Sequence, residues 1–71
     1  MINVVVNSQD HRVPENSNLL MTLQLLAESQ SLDLSNIAVA LNQHIVPKSQ
    51  WAEMLCQHGD QIDLFNAVAG G

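Results

Sequence analysis

The chain is short and acidic, with 71 residues, seven acidic side chains against two basic ones and a formal net charge of −5 at pH 7. This balance argues against a nucleic-acid partner, because such binding depends on clustered Lys and Arg that displace counterions from phosphates. With 46% hydrophobic residues and no stretch near the roughly 20 apolar residues of a membrane span, the sequence predicts one soluble domain.

The first part of the chain predicts a β-hairpin. Residues 2–6, "INVVV", are mostly β-branched and predict a first strand. The following "NSQD" has the composition of a turn and leads to a second strand around "HRVP". Pro14 cannot donate a backbone hydrogen bond, so it places this second strand at an edge or ends it.

One long helix is predicted after the hairpin. Ser17 or Asn18 is expected to cap its start, because side-chain oxygens of these residues accept hydrogen bonds from the first helical amides. Apolar residues then recur at helical spacing until about Ser29. The predicted buried face consists of Leu19, Leu23, Leu26 and Ala27.

Three more apolar residues, Leu20, Met21 and Leu25, widen this helical face. They form either a broad core stripe or apolar surface that is left for a partner. We favour the core stripe.

The second half predicts two further strands and a short helix. Residues 37–42, "IAVALN", predict a buried strand, and "QHIVP" predicts a short strand that Pro47 closes. Asn42-Gln43 is the predicted turn between them. The segment "KSQWAEML" predicts a short helix with three inward side chains, Trp51, Met54 and Leu55.

The last predicted strand covers residues 61–66, "QIDLFN". Side chains alternate between the two faces of a strand, so Ile62 and Leu64 share one face while Asp63 and Phe65 share the other. Phe65 is therefore expected to point away from the buried face, although packing under the Trp51 segment is an alternative.

This order of elements predicts an α+β fold for residues 1–71, with a mixed sheet packed on one main helix. A final strand placed between earlier strands would hold both ends of the chain in the sheet. Nothing in the sequence divides the chain into a second domain.

The body of the chain offers few candidates for chemistry. The histidines, His11, His44 and His58, lie in separate predicted elements without the short spacing of zinc ligands, so no metal site is expected. The single cysteine, Cys56, has apolar neighbours and is predicted to pack rather than react. A lone cysteine and an N-terminus without signal-peptide features predict a cytoplasmic protein.

Residues 67–71, "AVAGG", predict a flexible tail that extends from the last strand. Six residues from Asn66 reach roughly 20 Å, and glycines without Cβ atoms can enter a channel that is too narrow for side chains. The carboxylate of Gly71 is then the remaining candidate for a reactive group. On composition alone, a frayed terminus explains the same residues equally well.

The stretch "VALNQHIVPKSQWAEMLCQHGDQIDLFNAVAGG" resembles the C-terminal half of the ThiS sulfur carriers of thiamine biosynthesis, which are small β-grasp proteins of the ubiquitin-like superfamily. The N-terminal half is similar only in pattern, with Met21 about where the family often has an acidic residue. The family motif corresponds here to Asn42, Ile45-Val46-Pro47, Lys48, Trp51, Gly59-Asp60 and Gly70-Gly71.

The resemblance implies a β-grasp fold and a carrier that is itself not an enzyme and binds no cofactor. A ThiF-type adenylating enzyme would use ATP to activate the Gly71 carboxylate, and sulfur would then replace one oxygen to give a C-terminal thiocarboxylate. A ThiG-type thiazole synthase would receive the sulfur. Apart from the resemblance, the predicted outward direction of Phe65 suggests that it contributes to docking of the adenylating enzyme. The small residues of the tail, Val68, Ala69 and Gly70, are expected to thread into the partner's active site.

Three other functions stay open at this point. The first two, a small subunit of molybdopterin synthase and a ubiquitin-like protein modifier, would use the same terminal carboxylate. A plain interaction module would not use it. Neighbouring genes would identify the molybdopterin-synthase subunit. Lysine-linked adducts in cells would identify the protein modifier, and a function that survives deletion of the tail would identify the interaction module.

Overall fold

The computed structural model describes residues 1–31 and 33–66, and within these ranges five strands form one sheet that carries one α-helix. Residues 67–71, the predicted tail, lie outside the described residues. The elements in chain order are β1 (Ile2–Val6), β2 (Gln9–Val13), α1 (Leu19–Gln30), β3 (Ile37–Leu41), β4 (His44–Val46) and β5 (Gln61–Asn66). Two 3₁₀ helices cover Leu34–Asn36, which was not predicted, and Lys48–Glu53.

The sheet has the strand order β2-β1-β5-β3-β4. The last strand, β5, lies in the centre, parallel to β1 and antiparallel to β3. The predicted mixed sheet with an inserted final strand is therefore confirmed. Because β5 is hydrogen-bonded to strands from both halves of the chain, the position of its C-terminal end relative to the sheet is fixed.

Both hairpins turn on two residues with positive φ. The angles are 48° and 69° at Asn7 and Ser8, and 50° and 72° at Asn42 and Gln43. Two-residue turns of this kind match the twist of the flanking strands. The turn predicted over "NSQD" is too long, since Gln9 already belongs to β2. The strand predicted over residues 37–42 is one residue too long, since β3 ends at Leu41.

Asn18 caps α1, as one of the two predicted alternatives, and its Oδ1 accepts a hydrogen bond from the Met21 amide at 2.7 Å. The prediction for Met21 and Leu25 is wrong, because these side chains are 47% and 45% exposed. At 3.6 residues per turn, Met21 points away from the buried stripe and Leu25 lies at its flank. That stripe consists of Leu19, Thr22, Leu23 and Leu26. Leu20 is partly buried and packs against the core, as predicted.

The segment after the 3₁₀ helix runs extended beside the start of α1. The amide of Leu19 donates to the Met54 carbonyl at 2.7 Å, and the amide of Cys56 donates to the Ser17 carbonyl at 2.9 Å. Side chains alternate in an extended segment, so Cys56 is buried whereas Leu55 is 61% exposed. The inward Leu55 predicted from a helical spacing is therefore wrong.

Candidate functional site

The two faces of β5 differ as predicted. Ile62 is buried and Leu64 packs against the core, on the face that α1 covers. Phe65 is 51% exposed, which confirms its outward direction and excludes packing under the Trp51 segment. The last described strand therefore presents a large aromatic side chain next to the start of residues 67–71.

A second exposed apolar residue lies on the same outer face of the sheet. Ile45 on β4 is 66% exposed and pairs with Ala40 on β3, while Phe65 pairs with Ala38 of the same strand. Ala38 and Ala40, on the strand between the two larger side chains, have small side chains that project little from the sheet. We call these residues, Ala38, Ala40, Ile45 and Phe65, the outer-face patch.

Ile45 was not singled out from the sequence as a site residue. Alternation along "HIV" contained the signal, because an inward Val46 requires an outward Ile45. The faces of so short a strand become clear only once its partner strand is known.

The C-terminal end of β5 is held more closely by β3 than by β1. The pairing with β3 continues to Ile37 and Asn66. On the β1 side, the Asn7 amide donates to the Ile62 carbonyl at 3.0 Å, and the Asn7 side-chain oxygen accepts from the Leu64 amide at 2.9 Å. The predicted site residues beyond this point, Val68, Ala69, Gly70 and Gly71, lie outside the described residues.

The opposite end of β5 carries a polar cluster. Asn42 donates through Nδ2 to Asp60 at 3.1 Å and accepts at Oδ1 from the Gln61 amide at 2.9 Å. The second Asp60 oxygen accepts from the Gln57 amide at 2.7 Å, next to Gly59 with its φ of 88°. Hydrogen bonds to a carboxylate are worth more than neutral ones, so this cluster fixes the start of β5. Asn42 and Gly59-Asp60 of the family motif thus have a structural role.

The histidines do not converge on a common site. His58 Nδ1 accepts from the Asn3 amide at 3.2 Å, and His44 Nδ1 lies 3.1 Å from the Asn42 carbonyl oxygen. His11 belongs to β2. Among the described residues, no group of three or more His, Cys, Asp or Glu side chains could hold a metal ion.

Cys56 is a packing residue. Its side chain belongs to the hydrophobic core, and its Sγ lies 3.5 Å from Thr22 Oγ1. Burial raises the pKa of the Cys56 thiol, whereas a reactive cysteine needs a lowered pKa and access to solvent. This confirms the predicted packing role.

Neither α1 nor any other helix within residues 1–31 and 33–66 has the length and hydropathy required to cross a bilayer.

Comparison with known sequences identifies the proteins that this chain resembles. The model of the ThiS family matches residues 2–71. The sulfur carrier protein ThiS of Escherichia coli is 46% identical over 50 residues, which cover 70% of this chain and 76% of that protein. A thiazole synthase of Paramagnetospirillum magneticum is 29% identical over 68 residues. That match covers 96% of this chain, which spans 20% of the relative's length.

The fold also matches a solved structure. The crystal structure of the thiamine biosynthesis protein ThiS from Geobacter metallireducens superposes with a TM-score of 0.81 and 22% sequence identity. The match covers 99% of this chain and 100% of the other. The predicted β-grasp fold is therefore confirmed.

Proposed function

The chain belongs to the ThiS family and is a sulfur carrier of thiamine biosynthesis, and from this premise we propose that it carries the sulfur on the terminal carboxyl group of Gly71. The observation that carries the proposal is the family match, which runs through residue 71. The match favours this function over the molybdopterin-synthase and protein-modifier alternatives. The chain supplies the acyl group, and its partners supply the catalysis.

The reaction has two steps on a ThiF-type adenylating enzyme. A Gly71 carboxylate oxygen attacks the α-phosphorus of ATP, and pyrophosphate leaves. A hydrosulfide ion then attacks the acyl carbon of the adenylate, the bond to AMP breaks, and loss of the proton on sulfur leaves a terminal thiocarboxylate. The thiocarboxylate is ionised and polarisable at neutral pH, so it is nucleophilic without an adjacent base. The ATP belongs to the partner, and the carrier needs no bound cofactor.

A ThiG-type thiazole synthase is the proposed acceptor of the sulfur. In support, the match with the P. magneticum thiazole synthase covers nearly all of this chain within a fifth of that protein. A segment resembling the carrier thus occurs within a protein named as the acceptor. Such a linkage raises the effective concentration of one component near the other. We place the exchange in the cytoplasm, where ATP and reduced thiols are available.

The outer-face patch is the proposed docking surface for the adenylating enzyme. Its exposed members, Ile45 and Phe65, are separated by β3 alone, and large exposed apolar side chains are common interface anchors. Asp63 lies on the same face of β5, and the chain has a net charge of −5. Complementary charge speeds encounter, so the partner surface should be basic around an apolar centre.

Replacing Ile45 or Phe65 with Ala should weaken binding of the adenylating enzyme by about 10- to 100-fold, the range expected for anchor residues. The melting temperature should change little, because both side chains are largely exposed. Titration calorimetry and thermal unfolding measure the two effects. Leu25→Ala is the matched control, since Leu25 is similarly exposed on the helix side. A large fall in melting temperature with unchanged binding would contradict the docking role.

Adenylation can be tested separately from sulfur transfer. With a ThiF-type enzyme and ATP, the chain should promote exchange of labelled pyrophosphate into ATP before any sulfur source is added. The exchange should require the carrier, because pyrophosphate leaves only when a Gly71 carboxylate attacks. Exchange at the same rate without the carrier, or no exchange with it, would contradict adenylation of Gly71.

A further inference from the structure

One edge of β5 loses its neighbour before the strand ends. Within the described residues, the ladder between β1 and β5 consists of Val5 opposite Gln61 and Val6 opposite Ile62. Strand β5 continues to Asn66, and β3 accompanies it that far. Residues 63–66 are therefore paired with β3 along one edge. Along their other edge, the ladder with β1 has already ended.

The alternation of hydrogen bonds identifies which groups face that edge. The Gln61 carbonyl accepts from Asn42 on the β3 side, while the next carbonyl, that of Ile62, accepts from Asn7 on the β1 side. Successive residues of a strand direct their amide and carbonyl groups to opposite edges. The backbone groups of Leu64 and Asn66 therefore face the edge beyond β1.

Asn7 covers the first of these groups. Its side-chain oxygen accepts from the Leu64 amide at 2.9 Å, where a continued β1 would supply a carbonyl. The Leu64 carbonyl and the amide and carbonyl of Asn66 follow along the same edge. Folded proteins usually shield such edges, because exposed backbone groups pair readily with another strand.

We propose that this edge, at Leu64 and Asn66, pairs with a β-strand of the adenylating enzyme and so aligns the tail in extended form. The inference rests on the proposed function. Gly71 is the fifth residue after Asn66, at most about 17 Å away in extended chain, so an enzyme that reaches the Gly71 carboxylate also lies close to this end of β5. The edge also adjoins Phe65 of the outer-face patch.

Backbone pairing suits a segment with small side chains. In strand addition, main-chain hydrogen bonds provide affinity without requiring large side chains on the bound segment. The residues that follow Asn66 are "AVAGG", which offer little for side-chain recognition. Pairing at Asn66 would fix the direction and register in which this segment enters the enzyme.

The test compares Asn66→Pro with Asn66→Ala. Proline removes the amide proton that faces the open edge, whereas alanine retains it. Proline does not remove a β3 hydrogen bond, because the Asn66 amide faces away from β3, and Phe65 already has the extended backbone that a residue before proline requires. Both variants should therefore have melting temperatures close to that of the wild-type chain.

Sulfur loading of Asn66→Ala should stay within about twofold of wild type, and kcat/KM for Asn66→Pro should fall about fivefold or more through loss of one hydrogen bond. In the wild-type complex, hydrogen exchange of the Asn66 amide should slow at least about tenfold relative to the free carrier. Equal loading of the two variants, or unchanged exchange, would overturn the inference alone. No loading of the wild-type chain would overturn the proposed function and this inference with it.

Discussion

Deletion of Gly71, or addition of one residue after it, is expected to abolish sulfur loading. Deletion removes the acyl group from the position that the adenylating enzyme requires, and the addition moves the carboxylate one residue, about 3.3 Å, further along. A displacement of even about 1 Å can cost on the order of a hundredfold in rate. Loading is measured by intact mass after incubation with ATP, a ThiF-type enzyme and a sulfur source.

Both Gly71 variants should fold normally, because the sheet and core of the described residues end at Asn66. Their melting temperatures should therefore match that of the wild-type chain. One glycine added before Met1 is the matched control, since it lengthens the chain equally without moving the carboxylate, and it should load normally. Sulfur on the truncated chain would show that Gly71 is not the carrier group.

Trp51→Ala is expected to remove a large share of the stability of the fold, about 3–5 kcal/mol in the free energy of unfolding. Trp51 is buried in the core, and its Nε1 donates to the Val46 carbonyl at 3.0 Å. The substitution leaves a cavity and removes the partner of a buried carbonyl, and each change is costly. Small domains have a total stability of only about 5–15 kcal/mol. Urea unfolding followed by circular dichroism measures the loss.

Two variants separate the causes of that loss. Trp51→Phe keeps most of the apolar contact and removes the hydrogen bond, so it should cost less than Trp51→Ala. Leu55→Ala, four residues further along, removes a side chain that is largely exposed and should cost about 0.5 kcal/mol or less. If Trp51→Ala unfolds at the same urea concentration as Leu55→Ala, burial of Trp51 does not stabilise the fold as expected.

The strands could be predicted from the sequence because their residues carry two independent signals. In β5, the β-sheet propensity and the alternation of Ile62, Asp63, Leu64 and Phe65 agree on both the element and its faces. The turn at Asn42-Gln43 was predictable for a similar reason, since Asn tolerates positive φ. Local chemistry is sufficient where all of its signals point to one structure.

The errors arose where hydrophobicity alone was used. Met21 and Leu25 are apolar, but a helix on one face of a small sheet can bury only one stripe, and Thr22 lies in that stripe. Leu55 was assigned to a helical spacing, although hydrogen bonds with Ser17 and Leu19 hold its segment extended. These contacts are distant in sequence, so no local pattern could indicate them.

The candidate site was predictable only in part. The outward direction of Phe65 followed from alternation, and the reactive role of Gly71 followed from the family resemblance rather than from side-chain chemistry. The outer-face patch was not predictable, because only the strand order brings Ile45 and Phe65 to the two sides of β3 on one face of the sheet. The open edge at Asn66 depends on the register between β1 and β5, which the sequence does not encode locally.

Intact-mass analysis of the wild-type chain tests the proposed sulfur carrier function most directly. The chain is incubated with ATP, a ThiF-type enzyme and a sulfur source, and the product is digested so that the modified fragment can be identified. The expected result is one oxygen-for-sulfur exchange, located on the fragment that contains Gly71. A chain of unchanged mass, or sulfur located on the fragment that contains Cys56, would contradict the proposed function.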